Sequence, residues 1–135
     1  MIKDPIVFIN HIFDSIKSIE SFSKGLSKSE FFKDEIRQNA IIRKLEIIGE
    51  ATKNLNSEFR SKYPQVEWQK ISGLRDKLIH DYFGINLERI WNIMEKDLPN
   101  LKITIQNILN GAKKALEENK DETDKKTKLS KNKIS

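Results

Sequence analysis

One short segment carries the residue types that could do chemistry: Arg75, Asp76, His80 and Tyr82 lie within eight positions. Imidazole transfers protons near neutral pH, and guanidinium holds a phosphate through paired hydrogen bonds. Cleavage of RNA without a metal needs a base for the 2′-hydroxyl, an acid for the departing 5′-oxygen and positive charge near the phosphorus. The pair predicts such chemistry, with His80 in one proton transfer and Arg75 stabilising the anion.

The other two residues fit supporting roles if the segment is helical. Asp76 precedes His80 by four positions, so its carboxylate can orient the imidazole or raise the imidazole pKa. Arg75 and Tyr82 are seven apart and share nearly the same face. His80 and Tyr82 would point about 200° apart, so either the helix unwinds before Tyr82 or the two residues serve different surfaces.

A single histidine supplies only one of the two proton transfers. A symmetric dimer that brings two copies of the segment together would supply the second and double the arginines. The sequence therefore predicts a homodimer with a composite cleft. The alternative is a plain helical bundle, in which His80 bonds to Asp76 or a carbonyl and Tyr82 lies at the edge of the core.

The composition excludes several classes of protein. The 135 residues suffice for one domain with a core. The chain has no cysteine, and its two histidines, His11 and His80, are too far apart for a ligand motif, so no metal or other cofactor is predicted. No signal peptide or membrane span is apparent, which predicts a cytoplasmic protein without a membrane partner.

Apolar residues recur at helical spacing almost throughout, which predicts an all-α antiparallel bundle of four or five helices. The main helices are expected from Asp4-Pro5 to Lys24, from Ser27 or Ser29 to about Leu55, from Glu67 to about Phe83, and from Asn86 to about Leu116, with a short turn at 57–60. Pro99 should kink the last helix or divide it into two coaxial ones.

Most of these apolar residues are expected in the core, including Phe32 and Ile36 in the second helix and Leu116 in the last. The polar row Arg43, Glu46 and Glu50 is expected to be a solvated salt-bridge face.

The end of the chain differs from the rest. Residues 119–135 carry six lysines against three acidic residues, which is +3 of the formal net charge of +5. We predict one domain over residues 1–117 and a disordered lysine-rich tail over 118–135. The tail is expected to be a solvated extension, with an RNA-holding arm as the alternative.

Longer stretches of sequence surround the central residues: IIGEATKNL (47–55), Pro64, Trp68, ISGLRDKLIHDYFGINLERIW (71–91) and DLPNL (97–101). With them, the chain resembles the HepT-like toxins of the HEPN superfamily, whose R-x(4)-H-x-Y motif corresponds to Arg75, His80 and Tyr82. The resemblance covers about residues 5 to 115.

This resemblance implies a HEPN-like homodimeric bundle that acts as a metal-independent endoribonuclease on an RNA substrate. Arg75 and His80 would be catalytic, with a contribution from Asp76. It further implies a type VII toxin–antitoxin system, in which an MNT-domain nucleotidyltransferase antitoxin inactivates the toxin by transferring AMP to Tyr82. Added negative charge and bulk beside a cationic RNA cleft would block the substrate.

Two other functions stay open at this point. A non-catalytic HEPN module that binds nucleotides or proteins and acts with a nucleotidyltransferase is the main alternative. A DNA-binding bundle is less well supported, since no helix resembles a recognition helix with base-reading residues.

Overall fold

The computed structural model describes residues 4–74, 76–77 and 86–134, with side chains up to residue 123. All regular structure in these ranges is helical and none is a strand, which confirms the predicted all-α class. The helices are α1 (Pro5–Ser23), α2 (Lys28–Lys33), α3 (Glu35–Lys53), α4 (Ser57–Ser61), α5 (Trp68–Ser72), α6 (Leu87–Asn92) and α7 (Leu98–Ile134), with a π-helical turn (Ile93–Asp97) between the last two.

The boundaries of α1 are those that its sequence predicts. The Asp4 side chain accepts a hydrogen bond from the Ile6 backbone N–H at 3.0 Å, and Pro5 occupies the first helical position. Lys24 caps the end of the helix, and Gly25 follows with φ of 72°. Glycine adopts this left-handed conformation without steric cost, so the chain turns away here.

The core lies where α1 packs against both α3 and α7. It is built mostly from isoleucine at three- and four-residue spacing, so each helix buries a single stripe. Fully buried side chains include Ile9, Ile12, Ile16 and Ile19 of α1, Ile41, Leu45 and Ile48 of α3, and Ile105 of α7.

Neighbouring helices run antiparallel, as predicted. Phe8 and His11, near the start of α1, share a cavity with Glu50 and Asn54 at the end of α3. Glu20, near the end of α1, forms an ion pair of 3.0 Å with Lys102 near the start of α7.

The single helix predicted from about Ser27 to Leu55 is wrong, because Asp34 divides it into α2 and α3. Asp34 ends α2 and also caps α3, where its carboxylate accepts a hydrogen bond from the Arg37 backbone N–H at 3.0 Å. That hydrogen bond holds the pKa of Asp34 below its usual range. At the start of α2, the backbone N–H of Ser27 similarly lowers the pKa of Glu30 in a capping box.

This break changes which residues enter the core. Ile36 is 84% exposed and Phe32 40% exposed, so both predictions of core packing are wrong. Phe31 is buried instead, with its ring centroid 5.6 Å from that of Trp91. Leu116 is 70% exposed, because α7 has left the bundle by that point.

The helix that leads into the central segment ends earlier than predicted. In place of one helix from Glu67 to about Phe83, α5 ends at Ser72, and Gly73 caps it. Beyond this cap, residues 74, 76 and 77 are again helical, and the rest of the predicted helix, from 78 onward, lies outside the described residues. The turn predicted at 57–60 is confirmed as α4.

The last predicted helix begins at its expected cap, where Asn86 accepts a hydrogen bond from the Arg89 backbone N–H at 3.0 Å. It then runs through the π-helical turn into α7, and Pro99 is the second residue of α7. Proline has no N–H and crowds the carbonyl four residues earlier, which is Glu95. The wider π-helical turn at this point leaves more room for the proline ring beside that carbonyl.

The backbone continues as helix to Ile134, where the sequence predicted disorder from residue 118. Residues 113–123 are all exposed, so this part of α7 is outside the core. The division into a bundle over 1–117 and a tail over 118–135 stays a prediction.

Candidate functional site

The structure describes one of the four predicted site residues. Asp76 is described with its side chain, whereas Arg75, His80 and Tyr82 lie outside the described residues. The surroundings of the site are therefore described from α5, which leads into this segment, and from α6, which follows it.

The chain that leads into the Arg75–Tyr82 segment is held in place at Trp68, the first residue of α5. Its side chain is buried, and its indole N–H donates to the backbone carbonyls of Arg60 at 3.1 Å and Tyr63 at 3.0 Å. The Phe59 ring packs against the indole with a centroid distance of 6.4 Å. These contacts fix where α5 begins, because a buried indole needs an acceptor for its N–H.

After α5, the chain turns at Gly73 and starts a new helical turn. The backbone N–H of Lys77 donates to the Gly73 carbonyl at 3.0 Å, and the Leu74 side chain is half-buried against the core. Asp76 is thus carried on a turn that begins immediately after α5.

Asp76 is bonded to α3. The Lys53 ammonium donates to the two carboxylate oxygens of Asp76 at 2.9 and 3.1 Å, across 23 residues of sequence. The side chains are 36% and 55% exposed, respectively. Sequence reasoning assigned Asp76 to His80 and gave Lys53 no role, although Lys53 stands within the matched stretch IIGEATKNL.

Burial and hydrogen bonds fix the end of α3 that contains Lys53. Thr52 is fully buried, and its hydroxyl donates to the Ile48 carbonyl at 2.8 Å. Its own carbonyl accepts a hydrogen bond of 2.7 Å from the Arg60 guanidinium. A cation at the carboxyl end of a helix is also favourable to the helix dipole.

A cleft of about 480 Å³ opens beside the start of the segment. One wall runs from Gln65 to Leu74, and the other consists of α6, the π-helical turn and the start of α7. Lys70 and Arg89 line it together with Glu67 and Asp97, and Lys70 lies 3.6 Å from the Glu67 carboxylate. Its lining combines apolar side chains, among them Ile71 and Leu98, with charges of both signs.

The polar row of α3 lines a second, smaller cavity of about 290 Å³. Arg43 and Glu46 form an ion pair of 3.3 Å, as the predicted salt-bridge face requires. His11 lies in the same cavity, where its ring meets Phe8 edge to face at 6.2 Å.

Neither a metal-binding cluster nor a membrane-spanning helix occurs in the described ranges. No group of three or more histidine, cysteine, aspartate or glutamate side chains there is arranged to hold a metal ion. In the same ranges, no helix combines the length and the apolar character that crossing a membrane requires.

Comparison with known proteins gives a family. Residues 12–108 match the family model described as "Ribonuclease HepT-like". The matched range covers most of α1 and everything up to residue 108, in the first third of α7, including the segment 75–82. No solved structure matches the chain significantly.

Individual relatives carry compatible names. A "putative RNase" of Caldanaerobacter subterraneus subsp. tengcongensis is 44% identical over 107 residues, which are 79% of this chain and 96% of that protein. A "probable ribonuclease HepT" of Thermococcus cleftensis is 39% identical over 95 residues, 70% of this chain and 86% of the relative.

The name of one longer relative includes a second activity. It is the "gamma-glutamylcyclotransferase and putative RNase" of Methanocaldococcus jannaschii, 44% identical over 109 residues. The match takes in 81% of this chain but only 49% of that protein, so the chain spans about half of its length.

Proposed function

This chain belongs to the HepT-like ribonuclease family, and from that premise we propose that it is an endoribonuclease that cuts RNA without a metal ion. The observation that carries the proposal is the family match over residues 12–108, which extends across the whole Arg75–Tyr82 segment. The relatives named as ribonucleases support it. RNA as the substrate fits action in the cytoplasm.

The proposed chemistry assigns one role to each residue. His80 transfers a proton to or from the reacting oxygens, and Arg75 stabilises the negative charge that develops on the phosphate. Asp76 contributes by fixing the geometry around His80. These groups perform the reaction through protons and fixed charge, so the scheme needs no metal ion.

Two copies of the chain form the proposed active unit. Each subunit supplies one His80. A two-fold axis beside the segment would bring the two imidazoles into one active site that is formed between the subunits. One histidine then acts as the base and the other as the acid. Under this proposal, a variant that light scattering shows to be monomeric cleaves RNA far more slowly than the dimer.

We further propose that the protein is the toxin of a type VII toxin–antitoxin system. Its partner is an MNT-domain nucleotidyltransferase that transfers AMP from ATP to the hydroxyl of Tyr82, releasing pyrophosphate, and so inactivates the toxin. Each AMP brings a phosphate charge to a cleft that must attract phosphates, which is the physical reason for inactivation.

The test expresses the chain alone and together with a nucleotidyltransferase of the MNT type. Alone, it should arrest growth and produce RNA fragments that end in 2′,3′-cyclic phosphate. Arg75→Ala and His80→Ala should each reduce cleavage by at least about a hundredfold while the melting temperature barely changes. With the partner, mass spectrometry should find AMP on Tyr82, and Tyr82→Phe should escape inactivation.

Other outcomes decide against the proposal. Wild-type cleavage by either alanine variant would exclude the assigned active site. Harmless expression of an unmodified chain, with no RNA cut by the purified protein, would favour the non-catalytic module that acts with a nucleotidyltransferase.

A further inference from the structure

We infer that Lys53 is a positioning residue of the ribonuclease site, which it serves by fixing the Asp76 carboxylate to the end of α3. The inference rests on the proposed function. It concerns a residue that stands outside the R-x(4)-H-x-Y motif, at the end of α3.

The geometry of the contact is the first support. Lys53 reaches both Asp76 oxygens, at 2.9 and 3.1 Å, so the carboxylate is held in orientation as well as in position. A carboxylate has about four acceptor sites, so two bonds to Lys53 leave capacity for donors from the motif itself. Asp76 can therefore connect α3 to the segment that carries His80.

The rigidity of the two ends is the second support. Lys53 is the last residue of α3, next to the fully buried Thr52, whose carbonyl is held by Arg60. Asp76 stands in the turn closed by the hydrogen bond from Lys77 to Gly73. The contact thus joins a fixed helix end to the first turn of the segment, immediately after Arg75 in sequence.

The exposure of the pair decides what kind of effect to expect. An ion pair in which both side chains are more than a third exposed is screened by water and adds little to global stability. Small displacements of reacting groups nevertheless cost large factors in rate. Loss of Lys53 should therefore reduce turnover without unfolding the protein.

Kinetics on the full-length protein with a defined RNA substrate provide the first test. Lys53→Met should lower kcat roughly ten- to a hundredfold, with little change in KM. Lys53→Arg, which keeps the charge and the donors, should retain most of the rate. Asp76→Asn should lose as much as Lys53→Met, and the double variant no more than either, because the two residues act as one unit.

The chain offers a matched control in Lys102. It pairs with Glu20 at 3.0 Å across 82 residues, and these side chains are 33% and 50% exposed, close to the values for Lys53 and Asp76. This pair joins α1 to α7 outside the Arg75–Tyr82 segment. Lys102→Met should leave kcat and KM unchanged.

Hydrogen exchange gives a readout that needs no RNA cleavage. Lys53→Met should speed exchange at the Lys77 amide, whereas Lys102→Met should not. If the wild type cuts no RNA, the proposed function fails, and exchange still reports whether Lys53 fixes this turn.

Three results would overturn the inference while the proposed function stands. One is a kcat for Lys53→Met equal to that of Lys102→Met. Another is a rise in KM with kcat unchanged, which would make Lys53 a direct contact to RNA phosphate. The third is a double variant whose loss is the product of the two single losses, because independent residues behave in that way.

Discussion

The interior between α1, α3 and α7 and the junction between Lys53 and Asp76 are built on opposite principles. The interior consists of fully buried isoleucine and leucine side chains that repeat every three or four residues. The junction consists of two exposed charges that come from distant parts of the chain. The interior stabilises the fold, whereas the junction positions the Asp76 carboxylate. Changes in the interior should therefore lower the free energy of unfolding, and changes at the junction should lower the rate of RNA cleavage.

The largest effect on stability should come from the interior. Leu45 is fully buried, and Leu45→Ala should lower the free energy of unfolding by about 2–5 kcal/mol because it leaves a cavity. Urea unfolding measures this, and RNA cleavage per folded molecule should stay near the wild-type rate. Ile103→Ala is the control, since Ile103 is 60% exposed and should change stability by at most about 0.5 kcal/mol. Equal losses in the two variants would contradict the assignment of the core.

An intermediate effect is expected at α4, which connects the two regions. Asn56 caps α4 by accepting a hydrogen bond from the Phe59 backbone N–H at 2.8 Å. Asn56→Ala should cost about 0.5–2 kcal/mol of stability, whereas Asn56→Asp should preserve the cap. Because Phe59 and Arg60 hold Trp68, the alanine variant should also loosen α5, which hydrogen exchange would detect. An Asn56→Ala protein as stable as Asn56→Asp would exclude this role.

The smallest effect is expected at Asp34, and it depends on pH. Its pKa in the folded protein is lowered by the Arg37 backbone N–H, so the stabilisation is present above the usual carboxyl pKa and is lost as the pH falls through the lowered value. Asp34→Asn keeps a capping oxygen but cannot titrate. Its stability should therefore depend less on pH than that of the wild type in the acid range, as thermal unfolding between neutral and acidic pH would show. Parallel curves for the two proteins would refute the prediction.

The contrast also explains what could be predicted from the sequence. The ends of α1 were predictable because Asp4, Pro5 and Gly25 act on their own neighbours. The break at Asp34 was missed because the apolar period runs through this position and favours one uninterrupted helix, although aspartate is a favoured helix cap. The contact between Lys53 and Asp76 could not be predicted for a different reason. Spacing rules describe neighbours within one helix or strand, and these two residues are 23 positions apart and do not share a helix.

The resemblance predicted the family, which the family model confirms. The assignment of the R-x(4)-H-x-Y motif to this segment stays a prediction. The roles of Arg75, His80 and Tyr82 stay predictions. Exposure was predicted least well where a helix was divided unexpectedly or extended beyond the bundle. Ile36 and Leu116 follow the apolar period of their helices, yet both are exposed, because the period says which face a residue is on and not whether another helix covers that face.

The length of α7 has a hydrodynamic consequence. Its 37 residues correspond to a rod of about 55 Å, and the side chains from 113 to 123 have no cover from the bundle. Such a projection raises the Stokes radius, so the protein should elute from a sizing column earlier than a sphere of equal mass. A monomer would then elute at the volume expected for a heavier globular protein. Removal of the exposed end of α7 should shift the elution volume by more than the lost mass accounts for.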